Sequence, residues 1–96
     1  MPDEQALVEA HVVVRGYVQR VYFRGSLQQQ AQTRRVTGWT LNREDGAVEA
    51  VLQGPKAAVE QVVEWMRVGP RGARVDSAEV EWSEPKEALR GFEIVG

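Results

Sequence analysis

A chain of 96 residues has room for one hydrophobic core without covalent staples, and its lack of cysteine excludes disulfides, a thiolate nucleophile and Cys-ligated zinc. The single histidine, His11, cannot build a His-based metal site and is all that a Ser-His-Asp arrangement has to draw on. A net charge of −2 argues against a general nucleic-acid binder, no apolar run approaches the ~20 residues that span a bilayer, and no basic-then-apolar leader follows Met1; a single cytoplasmic domain over residues 1–96 is expected.

Leu7 to Arg15 is rich in β-branched residues (Val8, Val12, Val13, Val14) and reads as a strand ended by Gly16. Tyr17 to Val21 is short and irregular, with no side chain of capping type. From about Tyr22 the pattern turns helical, with Phe23, Leu27 and Ala31 at four-residue spacing. Arg34 and Arg35 suit the negative C-terminal end of that helix. Val36 to Leu41 reads as a second strand, Asn42 to Gly46 as a turn with its Asp-Gly signal, and Ala47 to Gln53 as the returning strand of a hairpin. Gly54-Pro55 stops that strand and starts a helix. Its buried stripe is Val59, Val62, Val63 and Met66, and Gly69-Pro70 ends it. Arg71 to Arg74 reads as a flexible connector. Ala78 to Ser83 alternates apolar and polar, as a strand with one wet face does, and Phe92 with Ile94 closes the chain in a short strand. Trp39, Trp65 and Trp82 are read as core or half-buried packing. The order is β-α-β-β-α-β, which predicts an α+β, ferredoxin-like sandwich: an antiparallel sheet with two helices on one face.

Charge is sharply segregated. Between Ala10 and Arg43 lie six arginines (Arg15, Arg20, Arg24, Arg34, Arg35, Arg43) and no acidic residue, while the remainder carries a net charge of −8. A solvated basic face and an anion-handling region both fit this pattern. In Gly16-Tyr17-Val18-Gln19-Arg20-Val21-Tyr22-Phe23-Arg24 a strand ends, a loop turns and a helix starts with an arginine in its first turn. Backbone N–H groups leading into a helix N-terminus form a ready anion cradle. An arginine there opposes the helix dipole unless an anion joins it, and its planar fork suits phosphate. The plainer reading pairs Arg24 with a carboxylate. Asn42, before its turn, is either a turn-former or a neutral amide that orients a water. It cannot act as a general base.

These two segments resemble the acylphosphatase family. That family's loop has the form Gly-x-Val-Gln-Gly-Val-x-Phe-Arg, matched by Gly16 to Arg24. Its hairpin has the form Gly-aromatic-x-x-Asn-x-x-x-Gly-x-Val with a later Gly, matched by Gly38-Trp39-Thr40-Leu41-Asn42-Arg43-Glu44-Asp45-Gly46-Ala47-Val48 and Gly54. The segment from Gly69-Pro70 through Val80-Glu81-Trp82 is also similar, so the likeness covers nearly the whole chain. The resemblance implies hydrolysis of a small-molecule acyl phosphate to carboxylate and inorganic phosphate, with no cofactor, no metal and no covalent intermediate. It implies that Arg24 binds the phosphate, that Asn42 orients the attacking water and that the backbone of Tyr17, Val18, Gln19, Arg20 and Val21 completes the cradle. No nucleic acid or membrane partner is expected, and a monomer is. Two positions depart from the pattern. Arg20 replaces the loop's second glycine, so its backbone is expected at φ > 0 with its side chain turned away from the concave face. Thr40 stands where an apolar residue is commoner.

Two other readings share the fold. One is a catalytically weak module that binds a phosphorylated ligand or RNA, although Glu79 and Glu81 would repel phosphates from their strand. The other is a domain of a larger protein such as a hydrogenase-maturation carbamoyltransferase.

Overall fold

The computed structural model describes residues 6–96, and residues 1–5, where a leader was considered, lie outside the described residues. The first strand, β1 (Leu7–Tyr17), puts Ala10, Val12 and Val14 on one face, all fully buried. Helix α1 (Phe23–Thr33) follows, burying Phe23, Gly25, Leu27 and Ala31. The hairpin β2 (Thr37–Asn42) and β3 (Val48–Pro55) adds Val48, Ala50 and Leu52 to the same core. Helix α2 (Lys56–Val68) buries the expected stripe of Val59, Val62, Val63 and Met66. Then come β4 (Arg74–Ser83) and the short β5 (Phe92–Ile94). Core residues of both helices join one cluster with the inward residues of β1 and β3, so both helices cover one sheet face. The fold is the ferredoxin-like α+β sandwich. Among the described residues no helix is long and apolar enough to cross a membrane.

The sheet order is β4-β1-β3-β2-β5. Its first four strands pair antiparallel, as expected, while β5 joins β2 in parallel through Gly38–Phe92, Trp39–Glu93 and Thr40–Ile94. The sheet is therefore mixed at that edge. Two hydrogen bonds beyond β5 prolong the pairing: Val95 N–H donates to Thr40 O at 2.9 Å and Asn42 N–H to Gly96 O at 3.1 Å. The open sheet face carries a part-buried hydrogen bond between His11 Nε2 and Glu49 Oε2 at 2.6 Å.

Several boundaries differ from the pattern read in the sequence. β1 does not stop at Gly16. It bulges between Arg15 and Gly16 and stays paired to Arg74 at Tyr17. The supposed connector therefore ends at Ala73, and β4 begins four residues before Ala78, because the bulge lets Gly16 pair with Val75. Asn42 belongs to β2 rather than to the turn, paired with Val48. Trp65 packs edge-on against Phe23 with centroids 5.3 Å apart, whereas Trp82 is 46% exposed.

Gly16 sits at φ 134, and a β-carbon there would lie 2.9 Å from Asp76 N and closer still to Arg74 O. Gly16→Ala should therefore cost about 1–3 kcal/mol through strain and collision. Urea unfolding should show a lower midpoint at unchanged slope, and an unaltered midpoint would show that the bulge tolerates a side chain.

Candidate active site

The turn from β1 into α1 is built by side chains that leave it. Val18 goes into the core at 1% exposure. Gln19 reaches the β2–β3 turn, where its Nε2 donates to Arg43 O at 2.8 Å and Ala47 O at 3.0 Å. Phe23 is fixed against Trp65. Between them the backbone alternates in hand, with Arg20 at φ 68 and Tyr22 at φ 61 and Val21 between them on the negative side. Such alternation curls successive N–H groups into a concavity suited to an anion. Among the described residues, no protein acceptor takes the N–H groups from Gln19 to Gly25. Helix α1 has no side-chain cap and no acidic residue in its first turn, so the positive end of its dipole is unanswered.

Arg24 follows in that first turn. Its Nη1 donates to the main-chain oxygen of Gly96, the same oxygen that takes the Asn42 N–H. The end of β2 and the start of α1 thus meet at one acceptor. Asn42 Oδ1 is buried and, among the described residues, is the one buried side-chain polar atom without a hydrogen-bond partner. Arg24 and Asn42 line one cleft of about 260 Å³ together with Val18, Arg20, Tyr22, Phe23, Gly25 and Ile94. A larger groove of about 370 Å³, near the Thr37 end of β2, contains Arg35 and Lys86 but neither Arg24 nor Asn42.

The arginine-rich stretch divides by role. Asp45 takes Arg15 at 3.1 Å and Arg43 at 3.2 Å, and Arg43 lies 3.9 Å from Glu49. The Ala47 N–H, then the Arg15 guanidinium, hold the Asp45 carboxyl below the usual carboxylate range. Arg34 bonds Gln30 and Gln61. Arg20, Arg24 and Arg35 meet no Asp or Glu carboxylate among the described residues. Two of these three border the cleft. Pairing Arg24 with an Asp or Glu side chain, the plainer alternative, is not seen among the described residues. Among the described residues no group of three or more His, Asp or Glu is arranged to hold a metal ion.

Of the residues expected from the sequence, Arg24, Asn42, Val18 and Arg20 border the cleft, while Tyr17, Gln19 and Val21 do not. Tyr17 is still in β1, and Gln19 serves the loop by tying it to the hairpin. The expected positive φ at Arg20 is observed. Tyr22, Gly25, Ile94 and Gly96 were not anticipated. Tyr22 lay inside the loop motif at a variable position, and nothing in the sequence signals a parallel β5 that brings Ile94 and Gly96 alongside Asn42.

A strand-loop-helix turn with free N–H groups lies beside a strand-end asparagine on a ferredoxin-like sandwich. The acylphosphatase family model matches residues 10–94. A protein named acylphosphatase from Pyrobaculum calidifontis is 54% identical over 90 residues, covering 93% of this chain and 82% of its own. One from Pyrobaculum aerophilum is 50% identical, covering 93% and 95%. The crystal structure of acylphosphatase from Bacillus subtilis superposes with a TM-score of 0.89 at 35% identity, covering 93% of this chain and 99% of that one. The chain belongs to the acylphosphatase family.

Arg20 holds a left-handed backbone that a glycine would adopt without a steric cost. Arg20→Gly should raise stability by up to about 1 kcal/mol, since the left-handed penalty of 1–2 kcal/mol is partly offset by the freer unfolded chain. Turnover of an acyl phosphate should be kept or raised. A parallel, several-fold weakening of the Michaelis constant and of phosphate inhibition would instead put the Arg20 guanidinium on the anion.

Proposed function

We propose that this chain is a metal-free acylphosphatase, acting through one domain over residues 1–96. It would hydrolyse the mixed anhydride of a carboxylic acid and phosphate. The observation that carries the reading is the unpartnered, buried Oδ1 of Asn42 in the cleft it shares with Arg24. A buried acceptor without a donor is costly, and a water bound there removes the cost.

The phosphoryl oxygens would lie against the loop's free N–H groups and Arg24. Arg24 spends one donor on Gly96 O and keeps the rest of its fork. A water donating to Asn42 Oδ1 is turned so that its lone pair faces phosphorus. Its oxygen forms the new P–O bond as the bond to the acyl oxygen breaks, and the electron pair leaves with the carboxylate. The water's protons stay with the product phosphate or pass to solvent, because a neutral amide takes none. An acyl phosphate has a good leaving group, so positioning and charge stabilisation supply the acceleration. The weak-binder alternative would use the same cradle without turnover. Its RNA version is disfavoured by the exposed Glu79 and Glu81 of β4.

Phosphate release from a simple acyl phosphate, without added metal, tests the reading directly. Activity should survive dialysis against a strong chelator, and loss that magnesium restores would contradict it. Arg24→Ala should remove about 3–4 kcal/mol of transition-state stabilisation, abolishing measurable turnover and weakening phosphate competition in a folded protein. Asn42→Ala should collapse turnover while phosphate inhibition stays within a few-fold. If phosphate binding fell as far as turnover, Asn42 would be shaping the cradle rather than the water.

A further inference from the structure

Tyr22 is expensive where it stands. It is an aromatic residue in the left-handed region, φ 61 and ψ 33, at the N-cap of α1, where its side chain caps nothing. Bulky residues rarely hold that conformation without a reason elsewhere. Core burial is not the reason, because Tyr22 is 70% exposed, and its hydroxyl has no partner among the described residues. Its ring instead lies against Gly25, in the first turn of the helix. A β-carbon at Gly25 would stand 2.7 Å from Tyr22 Cε2 and nearer still to Cζ. Gly25 has an ordinary helical φ, so the absent side chain there serves the ring, not the backbone.

The seated ring borders the same cleft as Arg24 and Asn42, and Ile94, itself 41% exposed, shares that cleft. The cleft thus has a charged, N–H-rich part and an apolar part contributed by Tyr22 and Ile94. An acyl phosphate has the same division, a doubly charged phosphoryl end and a neutral acyl end. With the phosphoryl group against Arg24, the apolar part is left for the acyl group. We infer that Tyr22, seated on Gly25, is a specificity-determining residue that makes this site favour aromatic or bulky apolar acyl groups over small ones. The inference rests on the acyl phosphate reading proposed above.

The test compares kcat/KM for benzoyl phosphate and acetyl phosphate in the wild type, Tyr22→Phe, Tyr22→Ala and Gly25→Ala. Inorganic phosphate inhibition is measured on each. Dividing each variant's benzoyl-to-acetyl ratio by that of the wild type cancels the difference in intrinsic reactivity. Tyr22→Phe should keep the ratio. Tyr22→Ala should lower it about two- to ten-fold, the range of aromatic pair interactions. Gly25→Ala should lower it comparably without deleting the ring, by unseating it, and alanine in a helix makes loss of folding an unsuitable explanation. Phosphate inhibition should move far less than the ratio. A parallel fall for both substrates, or an unchanged ratio in Tyr22→Ala, would overturn the assignment and leave Tyr22 as a shaper of the loop. Failure of the wild type to hydrolyse either substrate would sink the proposed activity and this assignment with it.

Discussion

The β1–α1 loop can offer its N–H groups outward only because its neighbouring side chains are committed inward. Val18 is sunk in the core, Phe23 is wedged against Trp65, and Gln19 spans to the hairpin turn. Those three anchors hold a backbone that alternates in hand at Arg20 and Tyr22, which no local preference would sustain. With the anchors in place, the strained segment is over-determined, and the unsatisfied donors of the helix start become a resource rather than a defect. The rest of the fold serves this turn: the bulge at Gly16 aims it, and the sheet carries Asn42 to its far wall.

The second wall depends on pairing at the sheet edge. Asn42 ends β2, and the residues after β5 run beside it, so the oxygen of Gly96 receives both the Asn42 N–H and Arg24 Nη1. Arg24 is thereby oriented by a main-chain oxygen of Gly96 rather than by an Asp or Glu side chain.

Much of this was legible in the sequence and some was not, for physical reasons. The stripe Val59, Val62, Val63, Met66 and the alternation Val48, Ala50, Leu52 each bury one face fully, so periodicity exposes them. β4 was half missed, because Arg74, Asp76 and Ser77 are exposed on an outer strand and leave little hydrophobic signal. That Arg24 and Asn42 meet in one cleft could be inferred only through the family pattern. No local rule joins a helix start to a strand end that lies beyond an intervening helix and turn. The pattern assigns Gln19 only a backbone N–H in the loop, and the tie its side chain makes to Arg43 and Ala47 has no local signal. The role of Tyr22 escaped because it depends on Gly25, whose significance is the ring above it.

The sheet's outer strand bears on how the molecule behaves in a crowd of its copies. β4 is ten residues long and lies at the end of the strand order, so one side of its backbone has no neighbouring strand within the sheet. Such an edge is a template for another chain's strand. Here Asp76, Glu79 and Glu81 are all exposed along it. Asp76 is paired with Arg74 at 2.9 Å, which leaves Glu79 and Glu81 as carboxylates on this edge that a copy's own Glu79 and Glu81 would repel. The opposite edge, β5, is three residues long and gives an incoming strand little to grip. The acidic residues outside the arginine-rich stretch therefore also guard the sheet against growing by one more strand.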